Sequence, residues 1–557
     1  MTTILDPSLR QKLEKLLQKY KVPGLCVSVV RKQDKQWAEE VLPFGTRDGS
    51  GSPWKEDSLH AIASCSKVFA AASVGLLIDR KTTLPNGQLL TWRTRIKDVL
   101  PEWKVMDEVT EANADIEDVL AMRLGIPGHN GAWGGPNDTQ QAMIARMQHY
   151  KPSTALRKTA TYSNDSFAVA GEFIARLTGT PYHVFVKENI FDPLGITSTT
   201  FNYREALDTG RRVEGFVHYD RDGKAGSDAV KSGGWSDEGV GEVGQVKGWD
   251  IGDGMFFAAA GGILSTGADI IHWLKETLDP HILSRDTLDE LNRPRTSWGD
   301  TSTPHPTLSH NTYGIGQWTW YYRGHRIVGH SGDIPGHYSM VFRLPDDAIG
   351  LAVFCNDETF GGEMVKTVFM MVIDEMLGLG GMVDWEDVYL LKKLREAGEG
   401  EKVSESYRSN TTDISGTYHH PAYGNLIVKR IEDHPMGPTF SRLLAEYPGH
   451  SIPLRPNEQI YLGDLPQKWI GKLLLSISDA NLFTRAWIRA DEIVRPGEAD
   501  MRYAGVVNGI GKCMILDKGI GMPWDFCGAS GEGADVSEWA EEDAEHAAAL
   551  WFEKIST

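Results

Sequence analysis

The chain is poor in cysteine, with five in 557 residues. A scattered, odd-numbered set does not form a disulfide framework, and no two of the five have metal-ligand or redox spacing. Cys26 and Cys355 lie in apolar runs typical of buried strands, and Cys65 is interpreted as a small buried residue instead of a redox centre. His419 and His420 form too short a cluster to hold a metal. The sequence therefore predicts reduced thiols, no metal site and no cofactor.

Positive charge is also scarce. Lysine and arginine number 57 against 76 aspartates and glutamates, which gives a net charge of −19. Binding to phosphate backbones or anionic lipid needs a surplus of basic residues on at least one surface. Neither a nucleic-acid partner nor a membrane partner is expected, and the partner is predicted to be a small molecule.

Long apolar runs and glycine-rich phosphate loops are missing as well. No run reaches the length of a membrane-spanning helix, and residues 1–20 have the pattern of an amphipathic helix and not of a signal peptide. No glycine cluster stands before a helix as a phosphate cradle. Together with the reduced cysteines, this predicts a cytoplasmic protein, whose oligomeric state is not indicated by the sequence.

One motif that is present carries chemistry. Ser64 and Lys67 form S-x-x-K at the head of the apolar segment SKVFAAASVGLLIDR. In a helix the two side chains lie one turn apart on one face, so that a partly desolvated lysine can take the proton of the serine hydroxyl. A serine that caps a helix and a solvated lysine would give the same letters.

A second motif, Y-x-N, lies at Tyr162 to Asn164 within RKTATYSNDSF. A phenolate at Tyr162 could act as a base towards Ser64 and then as an acid towards the leaving group, if Lys67 holds its pKa down. The Asn164 amide is predicted to bind and orient the substrate.

A third motif, H-S-G, is formed by His330, Ser331 and Gly332, and it runs into the alternating segment SMVFRL. The alternation predicts an edge strand of the site. Backbone N–H groups of this strand and of Ser64 are predicted to form an oxyanion hole.

With these three motifs in this order, the chain resembles the serine β-lactamase and penicillin-binding protein superfamily. It is most similar to the branch of class C β-lactamases, esterases and D-aminopeptidase-like proteins. Segments such as VPGLCVSVVRKQ, LTGTPYHVFVKENIFDPLGITSTTF and YGIGQW extend the resemblance over about residues 8–380. The resemblance implies an α/β (α+β) class, a β-lactamase/transpeptidase-like fold whose antiparallel sheet is flanked by helices. It also implies catalytic roles for Ser64, Lys67 and Tyr162 and substrate-binding roles for Asn164, His330, Ser331 and Gly332.

The third motif departs from the β-lactamase pattern. It begins with His330, where β-lactamases usually carry a lysine that binds the substrate carboxylate. Family members with histidine there more often resemble esterases, D-amino-acid peptidases and acyltransferases. Because histidine is close to neutral at cellular pH, β-lactams are expected to be poor substrates.

The sequence divides into two predicted domains. Residues 1–396 form the hydrolase domain, 397–411 a polar linker, and 412–557 a series of short strands that predicts an antiparallel β-barrel and resembles a lipocalin-like domain. The glycine-rich stretch 206–255 is interpreted either as a surface hairpin or as a lid over the acyl pocket. Residues 538–555, EWAEEDAEHAAALWFEKI, are expected to form a closing helix.

Four further polar residues lie near the motifs. His129 and Asn130 are candidates for the pocket, although a structural role is favoured. His337 is expected at the surface, and Asp165 is expected to be a helix cap or solvated.

The sequence predicts a serine hydrolase that acts through an acyl-enzyme on an ester or on a small amide or peptide. The alternatives are an acyltransferase in small-molecule biosynthesis that uses the same residues, and a non-catalytic binding protein on the same fold. A binding protein has no reason to keep Lys67 and Tyr162 together, which disfavours the last alternative.

Overall fold

The computed structural model describes most of the chain. The described residues are 4–33, 35–133, 138–246, 255–298, 302–397, 413–446, 459–465, 472–479, 482–494, 502–527 and 535–556.

The strands up to residue 355 are β1 (Gly24–Gln33), β2 (Gln36–Gly45), β3 (His60–Ala61), β4 (Phe216–Tyr219), β5 (Glu242–Val246), β6 (Leu264–Ser265), β7 (Thr296–Ser297), β8 (Thr312–Tyr313), β9 (Trp318–Tyr322), β10 (His325–Ile334), β11 (His337–Leu344) and β12 (Ile349–Cys355). Eight of them form one antiparallel sheet in the order β2, β1, β12, β11, β10, β9, β8, β7. This confirms the predicted antiparallel sheet.

The α-helices are α1 (Pro7–Lys19), α2 (Lys67–Asp79), α3 (Glu108–Asn113), α4 (Ile116–Leu120), α5 (Gln140–Arg146), α6 (Asn164–Thr178), α7 (Tyr182–Val186), α8 (Asp192–Leu194), α9 (Tyr203–Asp208), α10 (Gly223–Lys231), α11 (Ala258–Gly261), α12 (Gly267–Leu278), α13 (Arg285–Asn292), α14 (Gly361–Met376), α15 (Lys392–Glu396), α16 (Gly437–Glu446) and α17 (Ala544–Ala547). Two π-helical segments, Lys187–Phe191 and Glu386–Leu391, join α7 to α8 and lead into α15. Short 3₁₀ turns include Ala63–Ser66, Asn130–Ala132 and Met255–Phe257.

Helices cover both faces of the sheet. Along β1, Leu25 and Val27 pack in one core with leucines of α1 and apolar residues of α14, while Cys26 and Val30 pack in a second core with α12. Successive side chains of a strand point to opposite faces, so an apolar run such as LCVSVV suits a strand that is buried on both sides. The helices that flank this sheet confirm the predicted fold class.

Helix α2 is central to the second core. Its residues from Lys67 to Leu77 are all buried. A helix that is apolar around its whole circumference must be enclosed by protein, and the alanines of this segment allow close packing. The only long polar side chain in this buried run is Lys67, at its first position.

The C-terminal strands form a closed barrel. They are β13 (Gly416–His420), β14 (Gly424–Arg430), β15 (Ile460–Asp464), β16 (Lys472–Asp479), β17 (Leu482–Val494), β18 (Arg502–Leu516), β19 (Gly519–Met522) and β20 (Leu550–Ser556). Each pairs antiparallel with the next, β16 pairs with β17, and β20 pairs back to β13. The eight strands therefore close on themselves, which confirms the predicted antiparallel barrel.

The expected closing helix at 538–555 is wrong for most of its length. Only Ala544–Ala547 is α-helical, and Leu550–Ser556 is the strand that closes the barrel between β13 and β19. Leu550 and Phe552 are buried while Glu553 is exposed, which is the period of a strand that faces a core.

The stretch 206–255 contains a docked hairpin. Strands β4 and β5 pair with each other, and β5 pairs with β17, so the hairpin extends the barrel sheet. On its other side, His218 Nε2 lies 2.7 Å from Asp357 Oδ2 with both side chains fully buried. The hairpin thus joins the two predicted domains. Residues 247–254, and all but the first residue of the predicted linker, lie outside the described residues.

Two further observations concern the whole described chain. Within the described ranges, no helix combines the length and the apolar character needed to cross a bilayer. All five cysteines are buried and unpaired.

Candidate active site

Ser64 lies in a 3₁₀ turn, Ala63–Ser66, that leads directly into α2. Ala63 has a φ of +47°, a left-handed conformation that a residue with a Cβ seldom adopts. The hydroxyl of Ser66 accepts a hydrogen bond from the backbone N–H of Ile263 at 3.1 Å. The left-handed Ala63 bends the turn, and the Ser66–Ile263 hydrogen bond fixes its position. The Ser64 hydroxyl therefore lies at the N-terminus of the helix.

Cys65 ties the turn to the third motif. Its Sγ donates to the backbone oxygen of His330 at 3.0 Å and lies 3.4 Å from Ser339 Oγ. The side chain is 1% exposed, and burial raises the pKa of the thiol to about 12. Cys65 is thus a small buried residue behind the helix, as predicted, and it fixes the distance between Ser64 and β10.

Lys67 is completely buried and contacts only uncharged groups. Its Nζ lies 2.9 Å from Ser64 Oγ, 2.6 Å from Asn164 Oδ1 and 2.7 Å from the backbone oxygen of Ala260. Burial lowers the pKa of Lys67 well below its ordinary value. An uncharged amine has two N–H bonds, which suit the two carbonyl oxygens, and one lone pair, which is left for the proton of Ser64.

Tyr162 approaches Ser64 from the other side. Its hydroxyl donates to Ser64 Oγ at 2.7 Å, and its ring centre is 4.9 Å from Lys67 Nζ. Burial raises the pKa of Tyr162 above its ordinary value, so the side chain is a phenol in the resting site. This differs from the expected phenolate, because the desolvation of Tyr162 outweighs any stabilisation by Lys67.

Asn164 is the first residue of α6, whose N-terminus is capped by Ser163. Its Oδ1 accepts from Lys67, and its Nδ2 donates to Asn130 Oδ1 at 3.0 Å. Both ends of this amide are engaged by protein, so in the resting site Asn164 orients Lys67. Asn130, which the sequence analysis names only as a candidate for the pocket, is thereby connected to the second motif.

The third motif forms the opposite wall. Strand β9 pairs with β10 only as far as Gly329, and among the described residues β11 is the one strand that pairs with residues 330–334. A Cβ on Gly332 would stand 2.1 Å from the backbone oxygen of Ile62, just before the serine turn. Glycine is required for this close approach. Ser331 is exposed beside it.

His330 is 3% exposed, and its Nε2 lies 3.1 Å from the Tyr313 hydroxyl. Burial lowers the pKa of His330 to about 3. The ring is therefore uncharged at neutral pH. His330 cannot supply the fixed positive charge that a carboxylate substrate would need.

An aromatic wall beside the site was missed by the sequence analysis. Trp298 lies 6.2 Å from the Tyr162 ring and 4.5 Å from Trp318, which in turn lies 4.8 Å from Tyr313 and 6.0 Å from His330, all between ring centres. The segment YGIGQW contains two of these rings, but nothing in its pattern indicates that they face a pocket. The wall offers apolar contact to a substrate side chain.

Ligand pockets commonly have volumes of about 300–1,000 Å³. A cavity of about 890 Å³ is lined by Ser331 of β10 and by residues of α14 such as Phe369, so it lies on the face of the sheet that α14 covers. Its lining includes none of the three residues Ser64, Lys67 and Tyr162. Arg221, which follows β4, also lines it, so the hairpin in the 206–255 stretch contributes a side chain to this cavity.

Three other predicted positions are packed in the interior. His129 is buried and stacks on Tyr150 with ring centres 3.8 Å apart. His337 is half-buried and packs against His60. The expectation for Asp165 is wrong: it is fully buried, it accepts from Trp133 Nε1 at 3.1 Å, and burial raises its pKa to about 7.

The described ranges contain no cluster of three or more histidine, cysteine, aspartate or glutamate side chains that could hold an ion.

Comparison with known sequences gives a family match. The family model Beta-lactamase matches residues 9–368. The protein named Unguisins hydrolase ungD' of Aspergillus campestris (strain IBT 28561) is 26% identical over 447 residues, which are 76% of this chain and 78% of that protein. Unguisins hydrolase ungD of Aspergillus violaceofuscus (strain CBS 115571) is 24% identical over 461 residues, 76% of each chain.

Solved structures are similar in fold. The octameric penicillin-binding protein homologue from Pyrococcus abyssi has a TM-score of 0.55 at 16% identity and covers 92% of this chain and 97% of its own. The D-amino acid amidase from Ochrobactrum anthropi SV3, complexed with L-phenylalanine amide, has a TM-score of 0.51 at 23% identity and covers 67% of this chain and 98% of its own.

Proposed function

Since the chain belongs to the beta-lactamase family and is a serine hydrolase, we propose that it cleaves an amide or ester bond through an acyl-enzyme formed on Ser64. One observation carries this proposal. Ser64 Oγ lies within hydrogen-bond distance of both Lys67 Nζ, at 2.9 Å, and Tyr162 OH, at 2.7 Å, while Lys67 is fully buried. A nucleophile beside an uncharged amine and a phenol has both a base and an acid in contact.

The proposed first step is attack of Ser64 Oγ on the substrate carbonyl while the Ser64 proton passes to the lone pair of Lys67. Tyr162 then gives its phenolic proton to the leaving nitrogen or oxygen, and Lys67 returns a proton to Tyr162. The serine ester remains, and both side chains are again uncharged. Water repeats the sequence in reverse and releases the acid.

The proposed oxyanion site lies between Ser64 and the free edge of β10. Within the described ranges, residues 330–334 have no partner strand on that edge, and Cys65 and Gly332 hold it close to the serine turn. Backbone N–H groups fixed in advance stabilise the charge that develops on the carbonyl oxygen.

For the substrate, we propose an amide or peptide, or a simple ester, with an apolar acyl side chain and no carboxylate near the scissile bond. The uncharged His330 and the aromatic wall of Trp298, Tyr313 and Trp318 support this choice. The names of the relatives, hydrolases of unguisins and a D-amino acid amidase, favour the amide over the ester.

The test is covalent labelling followed by turnover. A fluorophosphonate should add one adduct to the intact protein, and peptide mapping should locate it on Ser64. Ser64→Ala should abolish the adduct and Ser66→Ala should keep it, because Ser66 faces Ile263 and not the site. An adduct on Ser66, or none on any serine, would refute the nucleophile.

Turnover then distinguishes the substrate classes. We expect the kcat/KM for an aromatic D-amino-acid amide or a p-nitrophenyl ester to exceed that for a chromogenic cephalosporin. A higher value for the cephalosporin would show that the chain acts as a β-lactamase.

A further inference from the structure

The barrel touches the loop that leads into the active site. Tyr423 lies in the turn between β13 and β14, is 1% exposed, and places its hydroxyl 3.0 Å from His129 Nδ1. His129 is in the hydrolase domain and is itself 1% exposed. This hydrogen bond therefore crosses between the two predicted domains and is shielded from water.

The loop at residues 126–130 contacts two of the catalytic motifs. Asn130 Oδ1 accepts from Asn164 Nδ2 at 3.0 Å. A Cβ on Gly128 would stand 2.6 Å from the backbone oxygen of Tyr162, so this glycine lies directly against the main chain of the tyrosine. His129, between the two, is thus the central residue of a loop that supports both Tyr162 and Asn164.

His129 is held by two contacts. One is the parallel stack on Tyr150, at 3.8 Å between ring centres, and the other is the Tyr423 hydroxyl. Burial lowers the pKa of His129 to about 3, so the ring is uncharged. Stacking leaves a ring free to slide and rotate in its plane, whereas a hydrogen bond to one ring nitrogen fixes that rotation.

The consequence reaches Lys67 through Asn164. Lys67 is buried, and its Nζ donates hydrogen bonds to Asn164 Oδ1 and to the backbone oxygen of Ala260, so these two groups stand where water would otherwise bind. The titratable groups around it are Tyr162, Cys65 and His330, and burial shifts the pKa of each towards its uncharged form. If Asn164 shifts, water can replace it, and the ammonium form of Lys67 is then favoured.

We propose that Tyr423 is a positioning residue through which the barrel aligns the active site: its hydroxyl fixes His129, and the loop at 126–130 then holds Asn164 and Tyr162 for the acylation of Ser64. This inference rests on the proposed function. On this proposal the C-terminal barrel supports acylation by positioning the active-site loop, while the reacting groups all come from residues before 333.

The experiment compares Tyr423→Phe with Tyr418→Phe in the full-length chain. Tyr418 is a barrel tyrosine that is also 1% exposed, and its hydroxyl donates to the backbone oxygen of Ile414 at 2.8 Å, within the barrel. Both variants lose one buried hydrogen bond, so both are expected to lower the melting temperature. Only Tyr423→Phe should slow the acylation of Ser64, by about threefold to thirtyfold, the size of coupling through intervening residues.

The pH profile separates alignment from loss of stability. The acylation rate depends on uncharged Lys67 and so rises with pH through the pKa of Lys67. In Tyr423→Phe, water beside Lys67 should raise the pKa of Lys67, so the rise of the acylation rate should move to higher pH. In Tyr418→Phe this rise should occur at the same pH as in the wild type. His129→Phe, which keeps an aromatic ring on Tyr150 but removes the nitrogen, should reproduce the shift and remains informative if Tyr423→Phe does not fold.

A wild-type acylation rate and an unshifted limb in folded Tyr423→Phe, or in His129→Phe, would overturn the inference. Failure of the proposed function has a different signature, because wild-type protein would then carry no adduct on Ser64 at all.

Discussion

Two buried ionisable residues, Asp118 and Lys67, have opposite surroundings. Asp118 on α4 is fully buried, and it lies 2.8 Å from Arg123 Nη2 and 2.7 Å from Arg157 Nη2. Lys67 on α2 is equally buried, but its three polar contacts are a hydroxyl and two carbonyl oxygens. Opposite charge compensates Asp118, whereas the hydrogen-bond partners of Lys67 among the described residues carry no negative charge.

The difference indicates which of the two serves stability and which serves chemistry. The ion pairs of Asp118 brace the surrounding loops. An uncompensated lysine gives up its proton, which lowers the stability of the fold but leaves a base beside Ser64. The folded protein then binds fewer protons than the unfolded chain between the lowered pKa of Lys67 and 10.5, so this position makes folding less favourable at neutral pH.

The largest effect is expected for Lys67→Met, which fills the same space with an apolar chain. Acylation of Ser64 should fall by at least about 10³-fold, because the base is lost. The melting temperature should be unchanged or higher, since no amine has to be desolvated. Intact mass against time and differential scanning calorimetry measure the two quantities. A marked loss of stability would show that Lys67 is a structural ammonium.

Asp118→Asn should lower stability more than it lowers acylation, the reverse of Lys67→Met. Removing this carboxylate breaks its ion pairs with Arg123 and Arg157. Arg123 keeps Glu117 and Arg157 keeps Asp115, so the free energy of unfolding should fall by about 1–3 kcal/mol. Acylation per folded molecule should fall far less than in Lys67→Met. Denaturant unfolding with a parallel labelling assay measures both, and a variant of wild-type stability would remove the contrast between the two sites.

Tyr162→Phe tests the acid in the same site. It should lower kcat by roughly 10²-fold, the usual size of a lost general acid or base. Combined with Lys67→Met, it should add little further loss, because both groups serve one proton transfer. Additive losses in the double variant would mean that the two act in separate steps.

The smallest effect is expected at His330. Replacing this uncharged ring by lysine introduces the cation that β-lactamases carry, which is worth about tenfold in preference for a carboxylate-bearing substrate. The measurement is the ratio of kcat/KM for a cephalosporin to that for an amide, in His330→Lys and in wild type. An unchanged ratio would mean that residue 330 does not face the ligand.

Much of the fold can be predicted from the spacing of apolar residues along the sequence. The apolar run of β1 predicts a strand buried on both faces, and the alternation of the C-terminal strands predicts the barrel. Residues 538–555 were misread because EDAEHAAA has a strong helical propensity, whereas Leu550 to Ser556 form a strand only when β13 and β19 are present to pair with them. Pairing with distant strands cannot be read from a local pattern.

The site divides in the same way. Ser64, Lys67 and Tyr162 are recognisable because they lie in two short motifs. The structure brings their reactive atoms together. The aromatic wall, Asn130 and the backbone oxygen of Ala260 do not lie in a short motif, and only folding places them beside Lys67 and Tyr162. The raised pKa of Tyr162 was missed for the same reason, because it depends on burial and not on spacing.

The proposed chemistry requires an uncharged Lys67 beside Ser64. The most direct measurement is the rate at which an uncharged fluorophosphonate phosphonylates Ser64 as a function of pH, followed by intact mass. A base must be unprotonated, so the rate should rise on a single limb and reach its plateau well below the ordinary lysine pKa of 10.5. Lys67→Met should remove that limb. A rate that keeps rising up to pH 10.5, or a limb that survives in Lys67→Met, would show that an uncharged Lys67 is not the base.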